Sequence, residues 1–560
     1  MIMGIPSYFS YIVKSHRSII KKYDNKIKIN NLYLDCNSII YDSVRLIKDI
    51  KDNNKFENKL VLIVCEKIEY YIKTIKPTSK VFIAFDGVAP VAKLNQQKNR
   101  RYKSWLEKQI VKECNNRVNN NNNSSDEFSW NTVAITPGTK FMDKLAKGVK
   151  SYFKTRFKTS KKYGANEIGA NEIGANEIGA NEIIVSAANE PGEGEHKIYE
   201  YIRNNATYHS NTSTAIYGLD ADLIMLTLNH LHISNKMYLF RETPHFIRTI
   251  DSSLDPNTNY LMDIPELAKS LSEDLYDRKN ITKEEQKRII YDYILLCFFL
   301  GNDFMPHFTA LNIRTDGISR LITAYKEILM KHNEYLTDGE KINWKNIRKL
   351  VMYLSKNEND YIKKEYIKRR KMKPPRYRPD EDPILFNLMS IPIKNREVEE
   401  YINPFEGGWR ARYYKELFEL TITEERCSDI CINLLEGLEW TMNYYTTGCK
   451  NWRWEYKYDY APLLQDLIHY IPYFDTELVE RRVKNPVNAY TQLAYVLPKP
   501  YLYLLPHKIE QKIISKYPAW YDTNCKIKWA FCKYFWEAHA CLPSIDINTL
   551  ETETKILITY

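Results

Sequence analysis

Acidic residues recur at the ends of short apolar runs in the N-terminal part of the chain. Asp35, Asp86 and Asp220 each follow such a run closely. Four further carboxylates stand in polar motifs or after a longer apolar run: Glu193, Glu195, Asp222 and Asp303. Carboxylates bind hard cations through oxygen and take up or release protons. A set of this size can therefore hold metal ions and act on water.

The apolar runs themselves predict an α/β fold. Leu32–Leu34, Val81–Phe85, Ile183–Val185 and Ala215–Tyr217 are short, and helical patterns separate them, the first beginning at Ser38. Short buried strands that alternate with helices form a mostly parallel sheet with helices on both faces. Functional sites in such sheets lie at the carboxyl ends of the strands. We therefore expect the seven carboxylates to converge at one edge of the sheet.

Seven negative charges at one place require neutralisation, either by protonation or by bound cations. The set contains neither His nor Cys, which favours Mg²⁺ or Mn²⁺ over zinc. Two such ions, roughly 3.5–4 Å apart, commonly support in-line displacement at phosphorus. The simpler explanation is that each Asp at a strand end caps a helix. Capping explains any single member but explains the whole set poorly.

A basic helical pattern follows Asp86. On a helix, Lys93, Gln97, Arg100 and Arg101 lie on one face, because their spacing is i, i+4, i+7 and i+8. A lysine, an amide and two guanidinium groups beside a metal edge suit a terminal phosphate. The alternative is a solvated basic face with no ligand.

Three stretches interrupt the globular pattern. Residues 115–125 are mostly Asn and Ser, and residues 164–183 repeat Gly-Ala-Asn-Glu-Ile four times. Neither has helical or strand periodicity, so both are predicted to be loop insertions. The segment Lys371–Pro383 carries four prolines among charges and predicts an exposed connector between an N-terminal and a C-terminal part.

Composition limits the class of protein. The chain has 560 residues, of which 44% are hydrophobic, and this favours two or more globular domains over disorder. Tyr293–Leu300 is the longest apolar run, far short of the ~20 residues of a membrane-spanning helix. Scattered cysteines and a start without a secretory pattern indicate an intracellular, reducing compartment. The net charge of +11 permits a polyanionic partner.

A long series of motifs runs along the chain in a fixed order. In the N-terminal part these are Met3–Pro6, Asp86–Pro90, Asn95–Gln97, Thr136–Thr139, Pro191–Lys197, Tyr217–Asp222 and Leu300–Phe304. In the C-terminal part these are Gly408–Tyr414, Trp452–Trp454, Tyr460–Pro462 and Val496–Pro500. Together they resemble the Xrn-type 5′→3′ exoribonuclease family over about residues 3–550.

This resemblance implies a nuclease core like that of PIN and flap-endonuclease proteins, with a mainly helical C-terminal region packed against it. We place the catalytic α/β domain at residues 1–335 and the helical region at residues 336–560. The insertions are placed at residues 115–131 and 160–183. Because the similarity ends near the close of the shared core, we expect a minimal member without the C-terminal extensions of the large cytoplasmic members.

The resemblance also implies an activity: processive hydrolysis of single-stranded RNA from a 5′-monophosphate end, releasing nucleoside 5′-monophosphates. All seven carboxylates match the family's ligands for two Mg²⁺ ions, for which Mn²⁺ can substitute. Lys93, Gln97, Arg100 and Arg101 match its 5′-phosphate pocket. Tyr41, where other members often carry His, is expected to stack on the terminal base. Its partner is Trp452 or Trp454, with Trp452 preferred.

Two alternatives remain at this point. One is a structure-specific DNA 5′-nuclease of the flap-endonuclease type, which shares the carboxylate chemistry. The other is a non-catalytic RNA-binding homologue, which would gain nothing from clustered negative charges. We expect a monomer in the cytoplasm or nucleus with no membrane partner, and the sequence does not allow a protein partner to be inferred. The A/T-rich codon bias and the amplified repeat suit a large DNA virus or a protist, hence a host cell or virion.

Overall fold

The computed structural model describes the chain except for residues 1–6, 25–26, 49, 119–129, 163–179, 242–247, 249–251, 256–257, 277–279, 375, 378–381, 481–484 and 559–560. The motif Met3–Pro6 and most of the two predicted insertions lie outside the described residues. All seven carboxylates and the basic residues after Asp86 lie within them.

One sheet dominates the N-terminal part. Its strands are β1 (Ile20–Lys22), β2 (Asn31–Asp35), β3 (Lys80–Ala84), β4 (Glu182–Ser186), β5 (Thr214–Tyr217), β6 (Met237–Arg241) and β7 (Tyr260–Asp263). Their order is β1-β7-β6-β5-β2-β3-β4. The run from β6 to β4 is parallel, whereas β7 and β1 are antiparallel. The predicted mostly parallel sheet and its four strands are confirmed; β1, β6 and β7 were not foreseen.

Strand register aligns the carboxyl ends of the central strands. Asp35 of β2 lies opposite Ala84 of β3, and Leu34 lies opposite Tyr217 of β5. The residues that follow these strands therefore begin at one edge of the sheet. This alignment positions the site, because the acidic residues follow the strands closely.

Helices cover both faces of the sheet. Those of the N-terminal part are α1 (Tyr8–Ser15), α2 (Asn37–Val44), α3 (Asn53–Ile75), α4 (Val91–Val118), α5 (Lys140–Lys162), α6 (Gly194–Asn204), α7 (Ala206–His209), α8 (Asp222–His230), α9 (Ile264–Tyr276), α10 (Lys283–Phe298) and α11 (Gly317–Ile328). None of the helices in the described part of the chain combines the length and apolarity needed to cross a membrane.

Alternating side chains of the strands pack into two clusters, as the two-residue period of a strand requires. Leu32 and Val81 point to the cluster that contains α3 and α5. Tyr33 and Phe82 point to the opposite cluster, which contains α1, α6 and α8. Both faces are therefore buried, which explains why the central strands read as continuous apolar runs.

The C-terminal part is mainly helical, as predicted. Its helices are α12 (Trp344–Lys356), α13 (Glu358–Lys371), α14 (Pro383–Lys394), α15 (Glu397–Ile402), α16 (Trp409–Phe418), α17 (Glu424–Thr446), α18 (Leu464–Leu467), α19 (Ala489–Val496), α20 (His507–Lys516) and α21 (Ile547–Ile558). Two short antiparallel strands, β8 (Ile527–Lys528) and β9 (His539–Ala540), accompany them. One hydrophobic cluster extends from Tyr8 to Phe531, so both parts share a core.

The ends of the predicted insertions belong to regular structure. Helices α4 and α5 extend to Val118 and Lys162, and β4 begins at Glu182. Trp130 is buried and stacks on Phe56, with ring centroids 5.4 Å apart. The connector is likewise shorter than Lys371–Pro383, because its two end residues belong to α13 and α14. Low sequence complexity therefore overstated the length of these loops.

Candidate active site

Strand ends and helix starts bring the seven carboxylates together. Asp35 ends β2, Asp86 follows β3 by two residues, and Asp220 follows β5. One carboxylate oxygen from each of Asp35, Glu195 and Asp220 lies within 4.8 Å of the others. The remaining members of the cluster are Asp86, Glu193, Asp222 and Asp303.

Electrostatics in this cluster oppose ionisation. Burial is the largest effect, and it raises the pKa of Asp35, Glu195 and Asp222 well above the usual values. Like charges add to it: Asp86 raises the pKa of Asp35, and Asp303 raises the pKa of Asp222. The chain alone leaves these groups poorly neutralised, and a bound cation would favour their ionised form.

Lys93 supplies positive charge inside the cluster. Its Nζ lies 2.6 Å from Glu193 Oε2 and 2.6 Å from Asp303 Oδ2, and the residue is only 2% exposed. Burial acts to lower the pKa of Lys93, but Asp303 and Glu193 hold it well above its usual value. The sequence assigned this lysine to the phosphate pocket. In the structure it lies between two of the predicted metal ligands.

Asp86 is held by two groups that the sequence did not indicate as site residues. Asn37 Nδ2 donates to Asp86 Oδ2, and the Asp86 backbone N–H donates to Asn37 Oδ1 at 3.1 Å. The Gly194 backbone N–H donates to Asp86 Oδ1 at 2.7 Å. A side chain at Gly194 would place its Cβ 2.5 Å from Asp35 Oδ1, so only glycine allows this close approach.

A buried lysine fixes the loops behind the cluster. Lys197 Nζ donates to the carbonyl oxygens of Phe85 at 2.8 Å and Ala187 at 2.9 Å, which follow β3 and β4. Burial is the main cause that lowers its pKa, to about 8. Lys197 stands in the recognised motif Pro191–Lys197, but its spacing alone did not indicate this bridging contact.

The helix predicted after Asp86 is α4. Its basic row, defined as Lys93, Gln97, Arg100 and Arg101, lies on one face of the helix as expected. Two polar atoms of the row, Gln97 Oε1 and Arg101 Nη1, are buried without a hydrogen-bond partner among the described residues. Burial is the main cause that lowers the pKa of Arg101, to about 10. Arg100 lowers it further, whereas Tyr41 and Asp86 oppose this, so Arg101 is close enough to both to interact with them electrostatically.

The opposite face of α4 is bound by the helical region. Tyr495 OH donates to Asn95 Oδ1 at 2.5 Å, and Lys98 Nζ donates to the Pro543 carbonyl at 2.6 Å. The Ala540 backbone N–H donates to Oδ1 of Asn99, which also belongs to α4. These contacts fix the rotation of α4 about its own axis.

The two tryptophans considered as base-stacking partners differ in environment. Trp454 is 7% exposed, stacks on Trp440 with ring centroids 5.0 Å apart, and donates from Nε1 to Glu436. Trp452 is half-buried, and its carbonyl accepts from the backbone N–H of Val91 at the start of α4. Trp454 is therefore committed to the core, and Trp452 is the better candidate.

A histidine and a tyrosine that the sequence did not indicate as site residues also lie at the cluster. One ligand atom from each of Glu193, Glu195 and His196 lies within 4.8 Å of the others. Tyr444 of α17 donates from its hydroxyl to Glu193 Oε1 at 2.9 Å. His196 belongs to the motif Pro191–Lys197, but no local signal connects Tyr444 with a residue 251 positions away.

The donor set fits a hard metal ion. Asp35 Oδ1 and Asp222 Oδ1 are buried without a hydrogen-bond partner among the described residues. Orphaned carboxylate oxygens in a buried acidic cluster suit a cation that prefers oxygen. The cluster can therefore hold a metal ion, as the carboxylate-rich sequence predicted.

Two family models match the chain. One, described as the XRN 5′-3′ exonuclease N-terminus, matches residues 3–243. The other, described as the Xrn1 helical domain, matches residues 283–382 and 392–559. Together they cover six of the seven strands of the sheet, the carboxylate cluster and most of the helical region.

Curated relatives agree with these matches. A 5′-3′ exoribonuclease 2 from Arabidopsis thaliana is 26% identical over 98% of this chain and 66% of its own length. A 5′-3′ exoribonuclease 1 from Homo sapiens is 27% identical over 98% of this chain but 34% of its own length. A 5′-3′ exoribonuclease 1 from Saccharomyces cerevisiae is 27% identical over 98% of this chain and 43% of its own length. The predicted family and nuclease class are confirmed: the chain belongs to the XRN 5′–3′ exonuclease family.

Proposed function

We propose that the chain is a metal-dependent 5′→3′ exoribonuclease that converts 5′-monophosphorylated single-stranded RNA to nucleoside 5′-monophosphates. The main support is the adjacency of the carboxylate cluster and the basic row of α4, because Lys93 Nζ of that row lies 2.6 Å from Glu193 Oε2 and 2.6 Å from Asp303 Oδ2. The names of the matched relatives support the same activity. Neither the DNA-nuclease nor the non-catalytic alternative has support from these relatives.

We assign the seven carboxylates to two Mg²⁺ ions, with Mn²⁺ as a substitute. Such ions, when bound, lower the pKa of water and neutralise the charge that develops on the leaving oxygen. The carboxylates of the chain would hold these ions at the edge of the sheet. Lys93 adds a positive charge beside Glu193 and Asp303. We expect a monomer as the active form.

The basic row gives the reaction its direction. Gln97 and Arg101 offer buried polar atoms to a terminal phosphate, and Arg100 adds a second guanidinium group. Tyr41 and Trp452 then hold the first base by stacking. A terminal nucleotide held at both phosphate and base presents its 3′-side phosphodiester to the cluster, and this positioning lowers the barrier.

The substrate can be tested with the wild-type protein. Single-stranded RNA with a 5′-monophosphate or a 5′-triphosphate end is incubated with Mg²⁺ or with a chelator, and products are separated on a gel. We expect nucleoside monophosphates from the 5′-monophosphate RNA only, and only with Mg²⁺. Cutting at the junction of a DNA flap would favour the DNA nuclease. Binding without cleavage would favour the RNA-binding homologue.

Gly194→Ala is predicted to damage the site without unfolding the protein. The new Cβ would lie 2.5 Å from Asp35 Oδ1, so the carboxylate must move. Misplacement of a reacting group by about 1 Å can cost roughly 10²-fold in rate. The measurement is the rate of mononucleotide release at saturating RNA, together with the thermal midpoint of unfolding.

A matched control is Gly407→Ala, where an added Cβ meets nothing within 4 Å. This variant should keep the wild-type rate. Equal rates for Gly194→Ala and the wild type would show that Asp35 does not need its present position, contrary to its assignment as a metal ligand.

A further inference from the structure

A tyrosine of the helical region reaches the carboxylate cluster. Tyr444 lies near the end of α17, is 3% exposed, and donates from its hydroxyl to Glu193 Oε1 at 2.9 Å. The phenol hydroxyl is the donor of this hydrogen bond, because an ionised carboxylate can only accept.

Aromatic contacts fix the ring of Tyr444. It stacks on His196, with centroids 3.7 Å apart and planes 23° apart, and on Trp440, with centroids 4.9 Å apart. Phe304 meets it edge-on at 5.5 Å. A ring held on several sides has little rotamer freedom, so its hydroxyl occupies a defined position.

The two oxygens of Glu193 thus have different partners. Oε1 accepts from the rigid, neutral Tyr444, whereas Oε2 pairs with Lys93 Nζ at 2.6 Å. The ammonium group of Lys93 also pairs with Asp303, and it stands at the end of a flexible four-carbon side chain. A cation bound in the cluster would compete with the ammonium group for Oε2, whereas the tyrosine would keep Oε1.

We propose that Tyr444 is a positioning residue, which holds Oε1 of Glu193 so that Oε2 faces the cation bound by the cluster. The proposal rests on the proposed metal-dependent function. It makes the helical region part of the metal site, because a residue of α17 sets the orientation of a ligand that precedes α6.

Hydrogen bonds that orient metal ligands have a typical effect on metal affinity and activity. Groups that orient metal ligands typically change metal affinity or activity by about 10- to 100-fold when they are removed. Tyr444→Phe keeps the ring and its stacking but removes the hydroxyl. We expect its apparent Mg²⁺ affinity to fall by about 10- to 100-fold, with RNA affinity unchanged.

The experiment titrates Mg²⁺ into the full chain without RNA, following the shift of the thermal midpoint, since a ligand of the folded state stabilises it by mass action. The same variant is assayed for kcat and KM at several Mg²⁺ concentrations. We expect a lower kcat that recovers partly at high Mg²⁺ and an unchanged KM for RNA. A loss of kcat that depends on the Mg²⁺ concentration, with KM unchanged, would not arise from a merely structural role of the hydroxyl.

Tyr413→Phe is the matched control. Its hydroxyl is also buried, but donates to the Ala461 carbonyl at 2.8 Å and contacts Thr309. This variant should keep the wild-type Mg²⁺ titration. Unchanged Mg²⁺ affinity in Tyr444→Phe, or an equal loss in both variants, would overturn the proposal. A wild-type protein that binds Mg²⁺ but does not degrade RNA would instead refute the proposed function.

Discussion

Asp220→Ala is expected to reduce RNA cleavage at least about 10³-fold while the protein stays folded. Metal ions stabilise the transition state by several kcal/mol, and each 1.36 kcal/mol changes a rate about tenfold. Asp220 lies within ligand distance of Asp35 and Glu195 and contributes to their raised pKa values. Removing it relieves like-charge repulsion, so the metal-free protein should be as stable as the wild type or more stable.

Cleavage of 5′-monophosphate RNA with Mg²⁺ and the thermal midpoint without metal are the two measurements. Asp360→Ala, which removes an exposed carboxylate from α13, serves as the control and should change neither. Near-wild-type turnover by Asp220→Ala would rule out its assignment as a metal ligand.

Glu193→Ala should abolish cleavage as well, but with a different effect on stability. Glu193 is paired with Lys93 and accepts from Tyr444. Its removal leaves a buried ammonium group with one carboxylate fewer, and a buried charge without its partner is costly. We therefore expect a lower thermal midpoint for Glu193→Ala than for Asp220→Ala.

The part of the site that lies on strand ends could be predicted from the sequence. Asp35, Asp86 and Asp220 follow apolar runs that become β2, β3 and β5, and parallel strands place their carboxyl ends along one edge. The edge strand β1 escaped because it has only three residues and pairs with β7, more than 200 positions away in the sequence. An apolar run is visible in a few consecutive residues, whereas the pairing of an edge strand depends on a distant segment.

Other features of the site depend on where long side chains end and on packing between segments that are distant in the sequence. Helical spacing placed Lys93 on the same face as Arg101, but it did not show that its side chain ends between Glu193 and Asp303. Tyr444 meets Glu193 only because α17 packs against α8 and α10 in the shared core. Such contacts leave no periodic signal in either segment.

The paired tryptophans illustrate the same limit. Trp452 and Trp454 stand two residues apart in one motif, and both could stack on a base. Only the packing of α17, which places Trp440 against Trp454, distinguishes them. The role of Trp452 and Tyr41 in base stacking stays a prediction.

Arg100→Ala together with Arg101→Ala is expected to erase the preference for 5′-monophosphate over 5′-hydroxyl RNA. Each charge-assisted contact contributes roughly 1.5–3 kcal/mol, so two lost contacts correspond to roughly 10²- to 10⁴-fold in end binding. Arg101 Nη1 is buried without a partner among the described residues, so its loss should cost little fold stability. The measurement is the ratio of degradation rates on the two RNA ends, in the wild type and in the double variant.

General affinity for single strands should fall much less, because it comes from distributed positive charge and aromatic stacking. Lys108→Ala with Lys112→Ala is the matched control, since it removes two exposed positive charges from the same helix, farther along α4. This control should weaken binding of both RNAs equally and keep the preference. If the wild type already ignores the 5′ end, the buried guanidinium does not read a terminal phosphate. The carboxylate cluster would then act on internal or junction phosphodiesters, and the DNA-nuclease alternative would become the better explanation of the same geometry.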